Sequence, residues 1–248
     1  MYSATGDRSA LDDAIKAADW VVANRSLPGG GFRHGQKDPA GPYLCDSLFM
    51  GTAMLGIYSV SGDRKWLNRA GEAAKFIGAN FFPAEGEAGF VTSKAGAGVF
   101  HPLPLVTENI SAVRFLAALS NYTGKAEYKT LAGAGMRLLA TEQIALENIT
   151  EAGIIIADDE LNNPPTHITV VGNKEDDVAQ KLFLEAIRYP APFKRTEWWD
   201  RREGPMPNED VKYPALPKSA AFICTNKRCS LPIFQPEAVE PTVRKLSG

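Results

Sequence analysis

Three stretches of this chain repeat one pattern, and that pattern dictates most of what the chain can fold into. Superposed on Gly6, Gly62 and Gly124, they read YSATGDRSALDDAIKAADWVVAN, YSVSGDRKWLNRAGEAAKFIGAN and SNYTGKAEYKTLAGAGMRLLATE, spaced 56 and 62 residues apart. The residues eight, twelve and fifteen positions after each glycine are apolar: Ala14, Ala70 and Ala132, then Ala18, Ala74 and Met136, then Val21, Ile77 and Leu139. Those offsets fall on one face of a helix. A period of this length marks a repeat architecture.

Ahead of the second and third glycines lie apolar stretches, LCDSLFMGTAMLGIYSV and ENISAVRFLAALSNYT. Each runs into a short S-G-D or T-G-K turn. Glycine there permits the left-handed cap that ends one helix, and Asp63, like Asp7, can cap the next. Each unit is therefore an αα-hairpin. Gly31-Phe32, Gly89-Phe90 and Gly153-Ile154 follow the second helices and read as short extended links. The first helix of each hairpin is apolar nearly all round and the second is amphipathic, which predicts an inner and an outer layer. A ring of stacked hairpins fits that asymmetry. Six such hairpins would need roughly 350 residues, whereas two complete units and part of a third are present, and the chain opens on a turn. Hairpin repeats need neighbours, so the expectation is a fragment of a larger ring or a ring completed by a second polypeptide.

Near Asn162-Asn163-Pro164-Pro165 the character changes, and the double proline is a boundary signal. THITVVG reads as a buried strand, EDDVAQKLFLEAIRY as a helix with Asn173 as its cap, KRTEWWD and AAFICT as further strands, and PEAVEPTVRKL as a terminal helix. EGPMPNEDVKYPALPK reads as an irregular loop. The fold expected is mainly α: a partial α/α toroid of hairpin repeats over 1–162, followed by a small α/β segment over 163–248.

Composition narrows the classes. A net charge of −2 over 248 residues provides no global field toward nucleic acid or an anionic membrane. No run of about 18 apolar residues predicts a transmembrane helix, and the N-terminus lacks the basic and apolar regions of a secretory signal. Three cysteines, an odd number, argue against a disulfide framework, and a reducing cytoplasm is the expected compartment. The single glycine of VVGNKEDD, followed by four charged residues, excludes a dinucleotide loop.

The run HITVVGNKEDD and the pattern KRTEWWDRREGPMPNEDVKYPALPKSAAFICTNKRCSLP resemble the C-terminal end of the thioredoxin-domain-containing proteins related to spermatogenesis-associated thioredoxin-like protein. The hairpin region resembles that family's helical domain, which is similar to the N-acylglucosamine 2-epimerase and six-hairpin glycosidase type of α/α toroid. The resemblance spans essentially the whole chain, specific in the last 85 or so residues and generic in the hairpins. No C-x-x-C pair occurs, so redox chemistry of the family's thioredoxin-like domain does not carry over.

Asp46 and Glu108 both stand sixteen residues before a repeat glycine, near the start of a first helix. The resemblance implies that such helix ends line the mouth of a sugar-binding cavity, where paired carboxylates suit glycoside hydrolysis. An acid in the first helical turn is equally favoured by the helix dipole. His34 and His101 lie in loops; the resemblance to epimerases offers them as proton carriers, and the plain reading is a hydrogen-bonded surface residue. His167 reads as a packed strand residue. Phe32, Tyr43 and Phe90 read either as a stacking platform for a sugar or as core plugs. Asn109 reads as a ligand contact or a cap. Cys224 and Cys229 flank N-K-R and are redox candidates; no further ligands accompany them, so no metal is expected. Cys45 reads as core. Trp198 and Trp199, beside Arg201 and Arg202, read as docking residues rather than a nucleic-acid platform.

Two functions follow as expectations. One is a ligand- or partner-binding helical scaffold, the C-terminal portion of a thioredoxin-domain-containing protein. The other is a carbohydrate-active, epimerase- or glycoside-hydrolase-like enzyme. Neither calls for a cofactor, and the partners expected are a carbohydrate-like small molecule and the polypeptide or N-terminal domain that completes the ring.

Overall fold

Each repeat glycine ends one helix and introduces the next. The computed structural model describes residues 1–82, 88–94, 102–225 and 228–247. Gly6, Gly62 and Gly124 take φ of +76°, +66° and +68°, and their N–H groups donate to the carbonyls of Tyr2, Tyr58 and Ser120. They separate α1 (Tyr2–Thr5) from α2 (Arg8–Arg25), α3 (Leu44–Ser61) from α4 (Arg64–Asn80), and α5 (Val106–Thr123) from α6 (Ala126–Leu139). The Asp7 and Asp63 carboxylates accept from the N–H of Ser9 and Lys65, as the turn sequence predicts. Lys125 holds the third such position and offers no cap.

α4 packs along α3 and α6 along α5, while α3 adjoins α5. The first helices of successive hairpins are therefore neighbours, each carrying its second helix. Leu44, Leu48 and Met54 of α3, Trp66, Ala70 and Ile77 of α4, and Leu116 and Leu119 of α5 are essentially inaccessible. By length and composition alone α3 is apolar enough to cross a membrane, contrary to the sequence expectation. Its apolar girdle has a plain use here, because it packs against helices on more than one side. The third link differs from expectation. After α7 (Glu142–Glu147), Gly153 and Ile154 belong to α8 (Ala152–Asn162), which packs on α5 as the next helix of the layer.

α8 ends at Asn162 and β1 (Thr166–Val171) begins just beyond the prolines. α9 (Asp177–Arg188), β2 (Lys194–Trp199), β3 (Ala220–Thr225), β4 (Arg228–Cys229) and α10 (Val239–Ser247) complete the unit. The sheet order is β2-β1-β3-β4, with β1 parallel to β2 and the other pairs antiparallel. The parallel pair requires a crossover, and α9 supplies it. Ala179, Leu182, Phe183 and Ala186 of α9, with Val239 and Val243 of α10, share a core with Ile168, Val170 and Ile223 of the sheet. Asp176, not Asn173, caps α9, accepting from the Val178 N–H. Asn173 accepts from Glu175 N–H in the preceding turn.

All three repeat turns face the α/β unit. A Cβ at Gly6 would lie 2.9 Å from the Arg188 guanidinium, at Gly62 3.0 Å from the Trp198 Cβ, and at Gly124 2.8 Å from the Asn208 amide oxygen. Lys174 Nζ donates to the Gly62 carbonyl at 2.9 Å, and Asn208 Nδ2 to the Asn121 carbonyl at 2.7 Å. The buried Tyr122 hydroxyl, at the end of α5, accepts from the Thr196 N–H of β2 at 3.0 Å. Trp198 takes the docking role expected of it, while Trp199 lies over the loop that follows and donates to the Gly204 carbonyl.

Candidate functional site

Asp46 and Glu108 are each the third residue of their helix, and neither helix has a side chain capping its first turn. The adjacent position carries a staple in both repeats. Ser47 Oγ accepts from the Phe32 N–H at 3.1 Å. Asn109 Oδ1 accepts from the Phe90 N–H at 2.7 Å, and its Nδ2 donates to the Phe90 and Leu105 carbonyls, both at 2.9 Å. One helical residue thus ties down the preceding inter-hairpin link. Asn109 is fully buried and spent on backbone bonds, so the structure corrects its reading as a ligand contact. Phe32 and Phe90 are likewise buried in the helical core and present no ring face for stacking.

The carboxylates differ in surroundings. Asp46 Oδ1 lies 3.0 Å from His34 Nδ1, and the mostly exposed His34 is held above its ordinary value by that hydrogen bond and the Asp46 charge. Glu108 is held above the usual glutamate range, first by burial and then by the Asp46 charge. Asp46 Oδ2 and Glu108 Oε2 are both buried and, among the described residues, have no hydrogen-bond partner. Tyr43 is half-buried, with its ring edge-on to His34 at 6.3 Å between centroids. Cys45 is also half-buried rather than core; burial and both carboxylates push its thiol up. The structure therefore brings His34, Asp46, Glu108, Tyr43 and Cys45 to one end of the α3–α5 layer. His101 lies outside the described residues. Among the described residues no group of three His, Cys, Asp or Glu side chains is placed to hold a metal ion.

A second polar constellation lies on the sheet. Glu197 Oε2 meets Arg195 Nη2 at 2.6 Å and His167 Nε2 at 2.8 Å, while Arg195 Nη1 reaches Asp210 Oδ2 at 2.7 Å. Thr169 Oγ1 is 2.8 Å from the same imidazole nitrogen, and the Tyr213 hydroxyl is bonded to Thr169 at 2.8 Å. His167, Arg195 and Glu197 are almost wholly buried. The alternation in K-R-T-E-W-W was the available signal: it sets Arg195 and Glu197 on one strand face, and a charged pair facing inward needs a partner. The packed reading of His167 is right about burial and misses the charges around it. Cys224 and Cys229 sit opposite each other on β3 and β4 and form a disulfide. The odd cysteine number is accounted for by Cys45, which is free.

Comparison with protein-family models and with curated proteins gives no match.

Proposed function

We propose that the chain is a ligand-binding helical scaffold whose site is the Asp46–Glu108 pair, and that its hairpins form part of an α/α toroid in a thioredoxin-domain-containing protein. The observation that carries the ligand site is the pair of buried carboxylate oxygens, Asp46 Oδ2 and Glu108 Oε2, at equivalent positions of neighbouring helices and without a hydrogen-bond partner among the described residues. A buried polar atom without a partner is costly. A polyhydroxyl molecule supplies the donors these oxygens lack, and the resemblance to sugar-binding toroids points to the same class.

The test is thermal unfolding and calorimetry against a panel of neutral hexoses and N-acetylated hexosamines. A ligand is expected to raise the midpoint of the wild type and to leave an Asp46→Asn/Glu108→Gln double variant unmoved. If no sugar raises the wild-type midpoint, or the double variant responds equally, the site reading is wrong.

One observation favours the enzymatic reading. Glu108 is raised by burial and by Asp46, and Asp46 is hydrogen-bonded to His34, so the two carboxyls stand in unequal surroundings, as an acid and its partner require. Turnover of a sugar found to bind, lost in Glu108→Gln with binding retained, would support an epimerase- or hydrolase-like enzyme. A partner is proposed for the groove beside α2. Leu11, Ala14, Ala18, Val21, Met50 and Ile57 line an apolar groove of about 390 Å³ between α2 and α3. Light scattering should then show a mass above 26.8 kDa, or complex formation with the rest of the ring; a lone monomer that ignores such a partner counts against it.

A further inference from the structure

One row of side chains crosses the whole sheet. Arg195 of β2 pairs with His167 of β1, His167 with Cys224 of β3, and Cys224 with Cys229 of β4. Directly opposed residues project to the same face, so a guanidinium, an imidazole and a disulfide stand in line. All four line one cavity of about 460 Å³, with Asp210 and Lys212. The two sulfurs are unequal: Cys224 is 9% exposed, whereas Cys229 is open to solvent. The bridge joins residues only five apart in sequence, so as a staple it constrains little chain. Arg195 is 2% exposed, and among the described residues its Nε has no partner, while its two terminal nitrogens face Glu197 and Asp210.

We propose that Cys224–Cys229 is a thiol–disulfide exchange site that accepts electrons from a dithiol reductant. A thiolate of the reductant attacks the exposed Cys229 Sγ, the sulfur–sulfur bond breaks, and its electron pair leaves on Cys224 Sγ. A leaving thiolate is favoured by positive charge nearby. His167 stands directly across the ladder from Cys224 and lines the same cavity; in this scheme its imidazole hands Cys224 a proton that solvent in the cavity replaces. The reductant's second thiolate then attacks the reductant's sulfur in the mixed disulfide, the reductant closes its own disulfide, and Cys229 Sγ leaves with the electron pair and takes the second proton. Two electrons and two protons have passed to the pair, and the reductant is left as a disulfide. The asymmetry of exposure sets the order of attack. The cavity, which reaches both sulfurs and the imidazole, provides the water path.

The test uses the full folded chain. Wild type is treated with excess glutathione without denaturant, quenched with acid and mapped by mass spectrometry. Glutathione is expected on Cys229 with Cys224 as the free thiol. An adduct on Cys224, or a bond untouched until the chain is unfolded, overturns the proposal. In parallel, dithiothreitol reduction is timed for wild type and His167→Gln, a change that keeps a hydrogen-bonding group toward Glu197. The variant is expected to react about tenfold more slowly, the size of effect a poorer leaving thiol produces, with an unchanged far-ultraviolet circular dichroism spectrum. Equal rates in a folded variant overturn the role given to His167. If the variant does not fold, the glutathione map of the wild type decides alone.

Discussion

Glu108 and Asp46 hold the same helical position yet face different electrostatics. Glu108 is raised by burial and by Asp46, so the folded chain holds its proton where the unfolded chain has released it. Stability contributed by this group is present below the ordinary value of 4.5 and is lost as pH rises through the folded value. Glu108→Gln should flatten that part of the stability–pH profile. At pH 7 it should be neutral or stabilising by at most about 1 kcal/mol after solvent screening, as measured by urea unfolding at several pH values. A loss of stability at pH 7 would show that the charged form is wanted. His34 is raised as well, so its contribution is complete below 6.5 and is lost as pH climbs through the folded value. Proton NMR should find its midpoint above 6.5, with Asp46→Asn returning it toward that ordinary value; a midpoint unmoved by the substitution would remove Asp46 as the cause.

At the level of elements, the staples decide how firmly each link is held. Asn109 makes three bonds from a fully buried position, while Ser47 makes one to its link. Asn109→Ala strands the Phe90 N–H and carbonyl and should cost about 2–3 kcal/mol, against about 1 kcal/mol for Ser47→Ala. Equal costs in chemical denaturation would mean that the second repeat is not pinned as described. The turn glycines carry two constraints at once. Gly62→Ala must adopt a left-handed φ, for about 1–2 kcal/mol, and its Cβ must also displace Trp198. Trp198 emission should change along with stability; an unaltered spectrum would mean that the turn and the sheet yield independently.

Over the whole molecule, helices and sheet are joined by buried bonds rather than by a linker alone. Tyr122, with burial pushing its hydroxyl up, supplies the acceptor for a β2 N–H. Tyr122→Phe leaves the Thr196 N–H buried and unpaired, which should cost about 1–3 kcal/mol and lower a single thermal transition. Two separate transitions in the wild type, by circular dichroism and tryptophan fluorescence, would contradict the coupling. The three glycine turns add contacts along the same seam, so the repeat period also sets the spacing at which the sheet is gripped.

Local chemistry made much of this legible in advance. A glycine that must turn left-handed, an aspartate that can cap, apolar residues at helical offsets and β-branched runs act through neighbours within a turn or two, and the hairpins and strands followed from them. The equivalence of Asp46 and Glu108 was visible for the same reason, since a repeat copies position. What the sequence could not show was which side chains are spent on the fold. Asn109, Phe32 and Phe90 looked available for a ligand until the inter-hairpin links closed over them. His167 looked inert until β2 brought Arg195 and Glu197 beside it, and Cys224 met Cys229 only because the strand register set them face to face. Burial and partnership depend on residues far apart in the chain, and only tertiary packing chooses among the contacts each side chain is able to make.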